Sequence, residues 1–265
     1  MKAIILSAGQ GRRLMPKTAH VPKCALSIAG KSIVERQIDA LLGADIGSVT
    51  VVVGYGADHV RHLLDQRYDP DQVRIVYNPL FQVADNLVTC WVVRREMNEE
   101  FILLNGDTLF EPTVLARLLD SPLRPITLAT NLKPCYDADD MKVSLDGTRL
   151  IRIGKGLPPN QVDAESIGMI LFRGEGPRDF RDALESAMNR PEAFKQWYLS
   201  VIDAMASSRQ IHTQSMQGLG WTEIDDLDDL ARAQRLVAHW DTRNGSVPIP
   251  DLHNLEVQNV RRLSV

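Results

Sequence analysis

The residues of this chain that could do chemistry gather first in its opening stretch, Ala3-Ile4-Ile5-Leu6-Ser7-Ala8-Gly9-Gln10-Gly11-Arg12-Arg13-Leu14, which continues to Pro22-Lys23. A short apolar run breaks there into a glycine-containing loop. Backbone N–H groups of such a loop can approach phosphate oxygens closely. Arg13 and Lys23 add two full positive charges, so the loop reads as a grip for the triphosphate of a nucleotide. Carboxylates form the second group: Asp107 closes Asn105-Gly106-Asp107 and Asp225 closes Glu223-Ile224-Asp225.

The elements that must position these residues follow from the spacing of apolar positions. Lys2 to Leu6, Val49 to Val53, Val73 to Tyr77 and Phe101 to Leu104 read as strands. Ser32 to Leu42, stopping at Gly43, and Asp58 to Leu64 have helical spacing. A further helix runs to Val93, with Asp85 or Asn86 as its cap. Alternating strands and helices predict a largely parallel sheet covered on both faces, with ligands bound at the carboxyl ends of its strands. The opening loop and Asp107 both lie at such ends and are therefore expected to be neighbours. After residue 110 the pattern changes. Ile126 to Thr130, Lys142 to Leu145, Leu150 to Gly154 and Ser166 to Phe172 are short strands with glycine-containing turns, which predicts an antiparallel extension. Helices are expected over Pro177–Met188, Phe194–Ala206 and Leu227–His239, the last capped by Asp226, with a strand near Ile211–Gln214.

Composition narrows the function classes. A net charge of -4 offers no electrostatic case for nucleic acid or an acidic membrane as the main partner. The apolar run at the start is too short for a signal peptide or a membrane span. Cys24, Cys90 and Cys135 are odd in number and lack metal-ligand spacing, which reads as reduced thiols of a cytoplasmic protein. His59 and His62 stand three apart without a third ligand and read as a solvated helix face. Trp197, Trp221 and Trp240 read as packing residues, although a choline-like ligand would need aromatic faces.

Two familiar nucleotide folds are disfavoured. Leu14 stands where G-x-G-x-x-G needs its third glycine, and Val53 is followed by Gly54 rather than an acidic residue. A phosphate-loop NTPase needs four residues between its glycines followed by Lys-Ser/Thr, which are absent. The longer pattern Ser7-Ala8-Gly9-x-Gly11-x-Arg13-Leu14 with Pro22-Lys23 resembles the signature loop of the nucleotidyltransferase (MobA-like) superfamily, whose members make nucleotide-diphospho sugars and alcohols. Val53-Gly54-Tyr55, Asn105-Gly106-Asp107 and Glu223-Ile224-Asp225 match further stations of the family in order. The resemblance covers roughly residues 1 to 240. Within the superfamily the chain is most similar to cytidylyltransferases acting on phosphocholine, phosphonates or inositol 1-phosphate, through Tyr77-Asn78-Pro79, Asp85-Asn86-Leu87, Lys142-Val143 and Ile153-Gly154-Lys155. Sugar-phosphate members usually carry Pro-x-Gly where this chain has Ala84-Asp85-Asn86.

The resemblance implies a Rossmann-like three-layer α/β sandwich with a mostly parallel mixed sheet and a small antiparallel lobe. It implies one domain over residues 1–240, with about 1–110 as the nucleotide-binding half and about 111–240 as the acceptor-binding half. Residues 241–265 form a tail, either a homodimer contact or a packed arm. The activity implied is Mg²⁺-dependent transfer of CMP from CTP to a small phosphorylated or phosphonate acceptor, with pyrophosphate released.

Such a transfer requires neutralisation of charge on both sides of the α-phosphorus. Asp107 and Asp225 are the carboxylates expected to hold Mg²⁺. Arg13 is expected to face the β- and γ-phosphates, Lys23 the α-phosphate or the acceptor phosphate, and Lys155 the acceptor phosphate. Gly9 and Gly11 shape the triphosphate loop. Backbone groups from Leu6 to Ala8 together with Asn86 are expected to select the base, although Asn86 could equally serve as a helix cap. Glu165 and Gly168 are assigned to the acceptor pocket, where Glu165 would suit an amino or hydroxyl group. No catalytic histidine is required, because a phosphate or phosphonate nucleophile is already ionised near neutral pH. Arg12 and Lys17 read as solvated. Two rivals stay open: the same chemistry on a sugar 1-phosphate with UTP, dTTP or GTP, and a non-catalytic nucleotide-binding regulatory subunit.

Overall fold

The apolar run at the N-terminus is strand β1 (Lys2–Ser7), buried throughout from Ala3 to Ser7. The computed structural model describes residues 1–243, so the tail from 244 onward lies outside the described residues. After β1 come the short strands β2 (Ser27–Ile28) and β3 (Lys31–Ser32), then helix α1 (Ile33–Gly43), β4 (Ser48–Val53), α2 (Ala57–Asp65) and β5 (Val73–Tyr77). Helix α3 (Asn86–Val92), β6 (Phe101–Asn105), β7 (Thr108–Phe110), α4 (Pro112–Leu119) and β8 (Ile126–Asn131) follow. The second half contains β9 (Lys142–Asp146), β10 (Arg149–Gly154), β11 (Ala164–Phe172), α5 (Gly176–Met188), α6 (Leu199–Ala206), β12 (Ile211–Ser215), β13 (Trp221–Glu223) and α7 (Leu227–Arg243).

Nine strands form one mixed sheet in the order β5-β4-β1-β6-β11-β8-β12-β10-β9. Strands β5, β4, β1 and β6 are mutually parallel, as the β-branched and apolar runs predict, and β12 is parallel to β8. Strand β11 runs antiparallel to both β6 and β8, and the β9–β10 hairpin extends the far edge. Two small antiparallel pairs, β2–β3 and β7–β13, stand apart from the main sheet.

Side-chain alternation along β1 divides the core in two. Ile4 and Leu6 face a cluster completed by α3, α5 and α6, while Ala3 and Ile5 face one completed by α1, α2 and α4. This gives three layers, and each fully buried Val, Leu or Ile contributes about 1.5–3 kcal/mol. A third cluster packs α7 through Leu230, Ala233 and Val237 against Leu14 and Ile28, so the helix anchors the opening loop.

Local signals account for several boundaries. Ser32 and Glu35 form a reciprocal capping box at α1, with Ser32 N donating to Glu35 Oε2 at 2.8 Å. Asp226 caps α7 as expected: its Oδ1 accepts from the backbone N–H groups of Asp228 and Asp229, both at 2.9 Å.

The helix expected over Phe194–Ala206 begins only at Leu199, after a 3-10 turn at Pro191–Lys195. The residues between are drawn across the start of α3, where Asp85 N donates to Phe194 O at 2.9 Å and Leu87 N to Gln196 O at 3.2 Å. Those carbonyls satisfy N–H groups that the first turn of a helix leaves unpaired.

Candidate active site

Strands β1 and β6 lie side by side with Leu6 opposite Asn105, so the opening loop and Asn105-Gly106-Asp107 leave the sheet together. Gly106 N donates to Leu6 O at 3.0 Å, and a Cβ on Gly106 would lie 2.1 Å from Ser7 Oγ. This glycine permits the close approach of the two loops. Beyond Ser7 the chain turns through Gly11 (φ 71), whose missing side chain leaves room for the Lys23 stem, 2.8 Å from where a Cβ would stand. Thr18 Oγ1 closes the loop by donating to Gly11 O at 2.8 Å, and buried Leu14 anchors it beneath.

The loop delivers Lys23 between the two predicted metal ligands. Its ammonium donates to Asp107 Oδ2 at 2.8 Å and to Asp225 Oδ1 at 2.9 Å. Burial opposes the Lys23 charge, but attraction by Asp107 and Asp225 exceeds that cost and holds its pKa above the ordinary lysine value. Burial likewise works to raise Asp225, yet Lys23 and then Arg13 outweigh it and keep its pKa below the usual carboxylate value. The second oxygen of Asp107, Oδ1, is buried and has no hydrogen-bond partner among the described residues. Strand β13 brings the second carboxylate in, because its pairing with β7 sets Glu223 opposite Thr108, next to Asp107.

Arg13 lies 3.1 Å from Asp225 Oδ1 through Nη2 and donates through Nη1 to Asp139 Oδ2 at 2.9 Å. Asp139 Oδ1 in turn accepts from Lys155 Nζ at 3.2 Å. One carboxylate therefore joins the two cations expected to bind phosphates on opposite sides of the reaction. Hydrogen bonding and attraction from Lys155, then attraction from Arg13, lower the pKa of Asp139. Lys155 also lies over Trp197, 4.7 Å from the ring centroid. Trp197, expected to be a packing residue, is 42% exposed and lines the site.

The sequence-assigned residues fall into adjoining cavities. Leu6, Ala8, Gly9 and Asn86 surround one of about 250 Å³ with Thr89 and Trp197. Asn86 begins α3, and its Oδ1 accepts from Tyr198 N at 2.9 Å, which ties α3 to the segment carrying Trp197. Arg13, Asp107, Lys155, Gly168 and Asp225 share a cavity of about 160 Å³ with Asn86. Gly168 (φ 71) sits at an irregularity in β11, where a Cβ would lie 2.5 Å from Asn105 Nδ2. A side chain at this position would displace Asn105. Glu165 lies elsewhere, in a neighbouring cavity of about 590 Å³ that shares Arg13, Asp139, Glu223 and Asp225 with the first. Its carboxylate is 2.9 Å from Lys133 Nζ, and burial pushes its pKa upward. Arg12, expected to be solvated, lines a broad opening of about 860 Å³.

Glu223 and Asp139 were not singled out from the sequence. Glu223 lines both inner cavities, and burial followed by the charges of Asp107 and Asp225 raises its pKa well above the ordinary carboxyl value. Its position two residues before Asp225, at the end of a short strand, was the available signal; Asp139, in the acidic run Asp137-Ala138-Asp139-Asp140, had only a compositional one. Other groups are set aside by their surroundings. Cys24 is buried, which pushes its thiol up to about 12, and all three cysteines are free. His59 and His62 are on α2, away from these cavities, with His62 paired to Gln66. Among the described residues no helix is long and apolar enough to cross a membrane.

Known proteins share sequence and fold with this chain. Residues 3–131 match the model of the MobA-like NTP transferase domain. The chain is 26% identical over 239 residues to a CMP-5'-(3-aminopropyl)phosphonate synthase of Streptomyces rubellomurinus, covering 88% of this chain and 38% of that protein. It is 32% identical over 111 residues to the choline-phosphate cytidylyltransferase of Streptococcus pneumoniae, covering 42% of this chain and 47% of the relative. The chain thus spans less than half the length of either relative. The inositol-1-phosphate CTP transferase from T. maritima has a similar fold, with a TM-score of 0.76 at 21% identity over 91% of this chain and 96% of that one. The stretch that matches the MobA-like NTP transferase domain includes the opening loop, Lys23, Asn86 and Asp107.

Proposed function

We propose that this protein is a Mg²⁺-dependent cytidylyltransferase, moving CMP from CTP to a small phosphorylated or phosphonate acceptor and releasing pyrophosphate. The observation that carries this reading is the convergence of Asp107 and Asp225 on one cationic point at the mouth of β1 and β6, held there by the Lys23 ammonium. The names of the relatives support the choice of nucleotide and acceptor class: two are a CMP-phosphonate synthase and a choline-phosphate cytidylyltransferase. Residues 1–240 would act as one unit, with about 1–110 holding the nucleotide and about 111–240 the acceptor.

The two carboxylates fit a divalent cation. They present hard oxygen donors to a single point, and Asp107 Oδ1 has no competing hydrogen bond among the described residues. Two carboxylates completed by substrate phosphates and water are a usual Mg²⁺ environment. In this reading Asp107 and Asp225 hold Mg²⁺, which when bound supplies positive charge to the phosphates.

The chain's own residues carry the remaining tasks. The base enters the cavity beside Asn86 and the Leu6–Ala8 backbone, and Arg13 faces the leaving pyrophosphate. Lys155 receives the acceptor phosphate or phosphonate and aims one of its oxygens at the α-phosphorus. That oxygen forms the new P–O bond as the bond to pyrophosphate breaks, and the electron pair leaves with pyrophosphate. Lys23 neutralises charge at the reacting centre. An acceptor already ionised needs no general base.

The test is pyrophosphate release across a panel of CTP, UTP, dTTP and GTP, each with phosphocholine, an aminoalkylphosphonate, a polyol phosphate and a hexose 1-phosphate. CTP with one of the first three acceptors is expected to turn over. Turnover confined to a hexose 1-phosphate with another nucleotide would assign the site to sugar activation. Binding of nucleotide without turnover of any pair would make the protein a regulatory subunit.

A further inference from the structure

Lys23 stands where a metal bridging Asp107 Oδ2 and Asp225 Oδ1 would stand. Its ammonium lies 2.8 Å and 2.9 Å from one oxygen of each carboxylate, and its side chain is only 13% exposed. The stem is confined against Gly11, and Asp225 is held as well. Asp225 is fixed by its backbone N–H, which donates to Asp229 Oδ2 at 2.9 Å, and by Arg13 on the same oxygen that Lys23 uses. A Mg²⁺ ion needs its oxygen ligands at about 2.0–2.1 Å. An ammonium and a divalent cation therefore cannot sit between the same two oxygens, and side by side they would repel each other.

We infer that Lys23 serves the resting protein as an internal cation, so that a divalent metal enters between Asp107 and Asp225 only together with a nucleotide. The inference rests on the assignment of those carboxylates as the metal site. Metal arriving alone must expel a buried ammonium, and Asp139, another carboxylate lining the cavity, is already engaged by Arg13 and Lys155. Metal arriving with a nucleotide brings phosphate oxygens that take over the ammonium. Lys23 thus exchanges its two carboxylates for a phosphate in the step that loads the metal, and its charge is never left buried without a partner. The arrangement keeps the site from holding free metal, and it makes nucleotide and metal binding depend on each other by reciprocal linkage.

The test is Mn²⁺ binding to the nucleotide-free protein, followed by the loss of the free-ion electron paramagnetic resonance signal. Lys23→Met removes the charge and keeps much of the stem. This variant is expected to bind one Mn²⁺ more tightly than wild type by about tenfold or more, within the usual range of coupling between sites. Adding Asp107→Asn to Lys23→Met should cancel the gain. Should Lys23→Met not fold, Lys23→Gln keeps a donor for one carboxylate and carries the same expectation. In the wild-type protein, the Nζ resonance of Lys23 should move on addition of Mg²⁺ with a non-hydrolysable CTP analogue and stay in place with Mg²⁺ alone. Equal Mn²⁺ affinity in variant and wild type, with Mn²⁺ still recruited by the analogue through Asp107, would overturn the inference and leave the proposed function intact. Recruitment by the analogue that is insensitive to Asp107→Asn would overturn the metal assignment itself.

Discussion

The Lys155 ammonium lies 4.7 Å from the centroid of the Trp197 ring, at the rim of the cavity that also contains Asp107 and Asp225. The two residues reach this point by separate routes. Lys155 follows the end of β10, while Trp197 is carried by the segment that satisfies the first N–H groups of α3. Trp197 also lines the cavity beside Asn86, so in the proposed reading it would form a wall between the two substrates. Loss of a charge-assisted contact by Lys155→Met is expected to lower kcat/KM for the acceptor by about 10- to 100-fold and to leave the KM for CTP nearly unchanged. Trp197→Ala should raise the KM for both substrates. Steady-state kinetics with each substrate varied in turn separates the two patterns.

Replacing either carboxylate proposed to hold the metal should remove catalysis without unfolding the protein. Asp107→Asn and Asp225→Asn are each expected to lower kcat by at least about 10²–10³, the usual cost of deleting one preorganised charge-stabilising group. Each variant leaves Lys23 with the other carboxylate as a partner. Pyrophosphate release measured alongside thermal unfolding checks both halves of the expectation. Near-normal turnover in either variant would remove that residue from the metal site.

Glu223 carries a pH signature. Burial and the neighbouring charges of Asp107 and Asp225 raise its pKa in the folded protein above the ordinary value of 4.5. A carboxyl whose folded pKa is raised contributes no penalty below its unfolded pKa. As pH rises from there toward the folded pKa, the unfolded chain ionises while the folded one keeps its proton, and stability is lost. Glu223→Gln should therefore increase the melting temperature at about pH 7.5 by more than at about pH 4.5. Equal shifts at the two pH values would show that Glu223 ionises as easily in the folded protein as in the unfolded chain.

The junction between the two loops can be tested through packing. A Cβ at Gly106 would lie 2.7 Å from the backbone oxygen of Leu6, which is bonded to Gly106 N and has little freedom to move. Gly106→Ala is expected to cost about 1–3 kcal/mol, the usual range for overpacking a tight site. Urea unfolding of the two proteins measures the difference.

Sequence reasoning located the parts of this site that rest on local grammar. The β-branched runs ending in glycine marked β1, β4 and the end of β6, and the rule that ligands gather at strand carboxyl ends brought Asp107 to the opening loop. Asp226 was recognisable as a helix cap, which left Asp225 available. What local grammar did not show depends on contacts distant in sequence. Strand β13 is three residues long and is a strand only because β7 pairs with it, so Glu223 has no role legible beyond its place in the motif. Nothing nearby in sequence marks Lys133 as the ion-pair partner of Glu165. Periodicity carried the expected helix back to Phe194, because the diversion of that segment to cap α3 is a tertiary event. Asp139, on a loop between β8 and β9, has meaning only through Arg13 and Lys155, which come from opposite ends of the site.

The identity of the product tests the proposed CMP transfer most directly. The protein should be incubated with Mg²⁺, CTP and an acceptor chosen from phosphocholine, an aminoalkylphosphonate or a polyol phosphate, and the mixture resolved by mass spectrometry. The account predicts a compound in which CMP is joined to the acceptor through a new P–O–P link, formed in equal amount to pyrophosphate and abolished by chelation of Mg²⁺. Formation of a nucleotide-diphospho sugar from UTP, dTTP or GTP, with no CMP adduct from CTP, would contradict it.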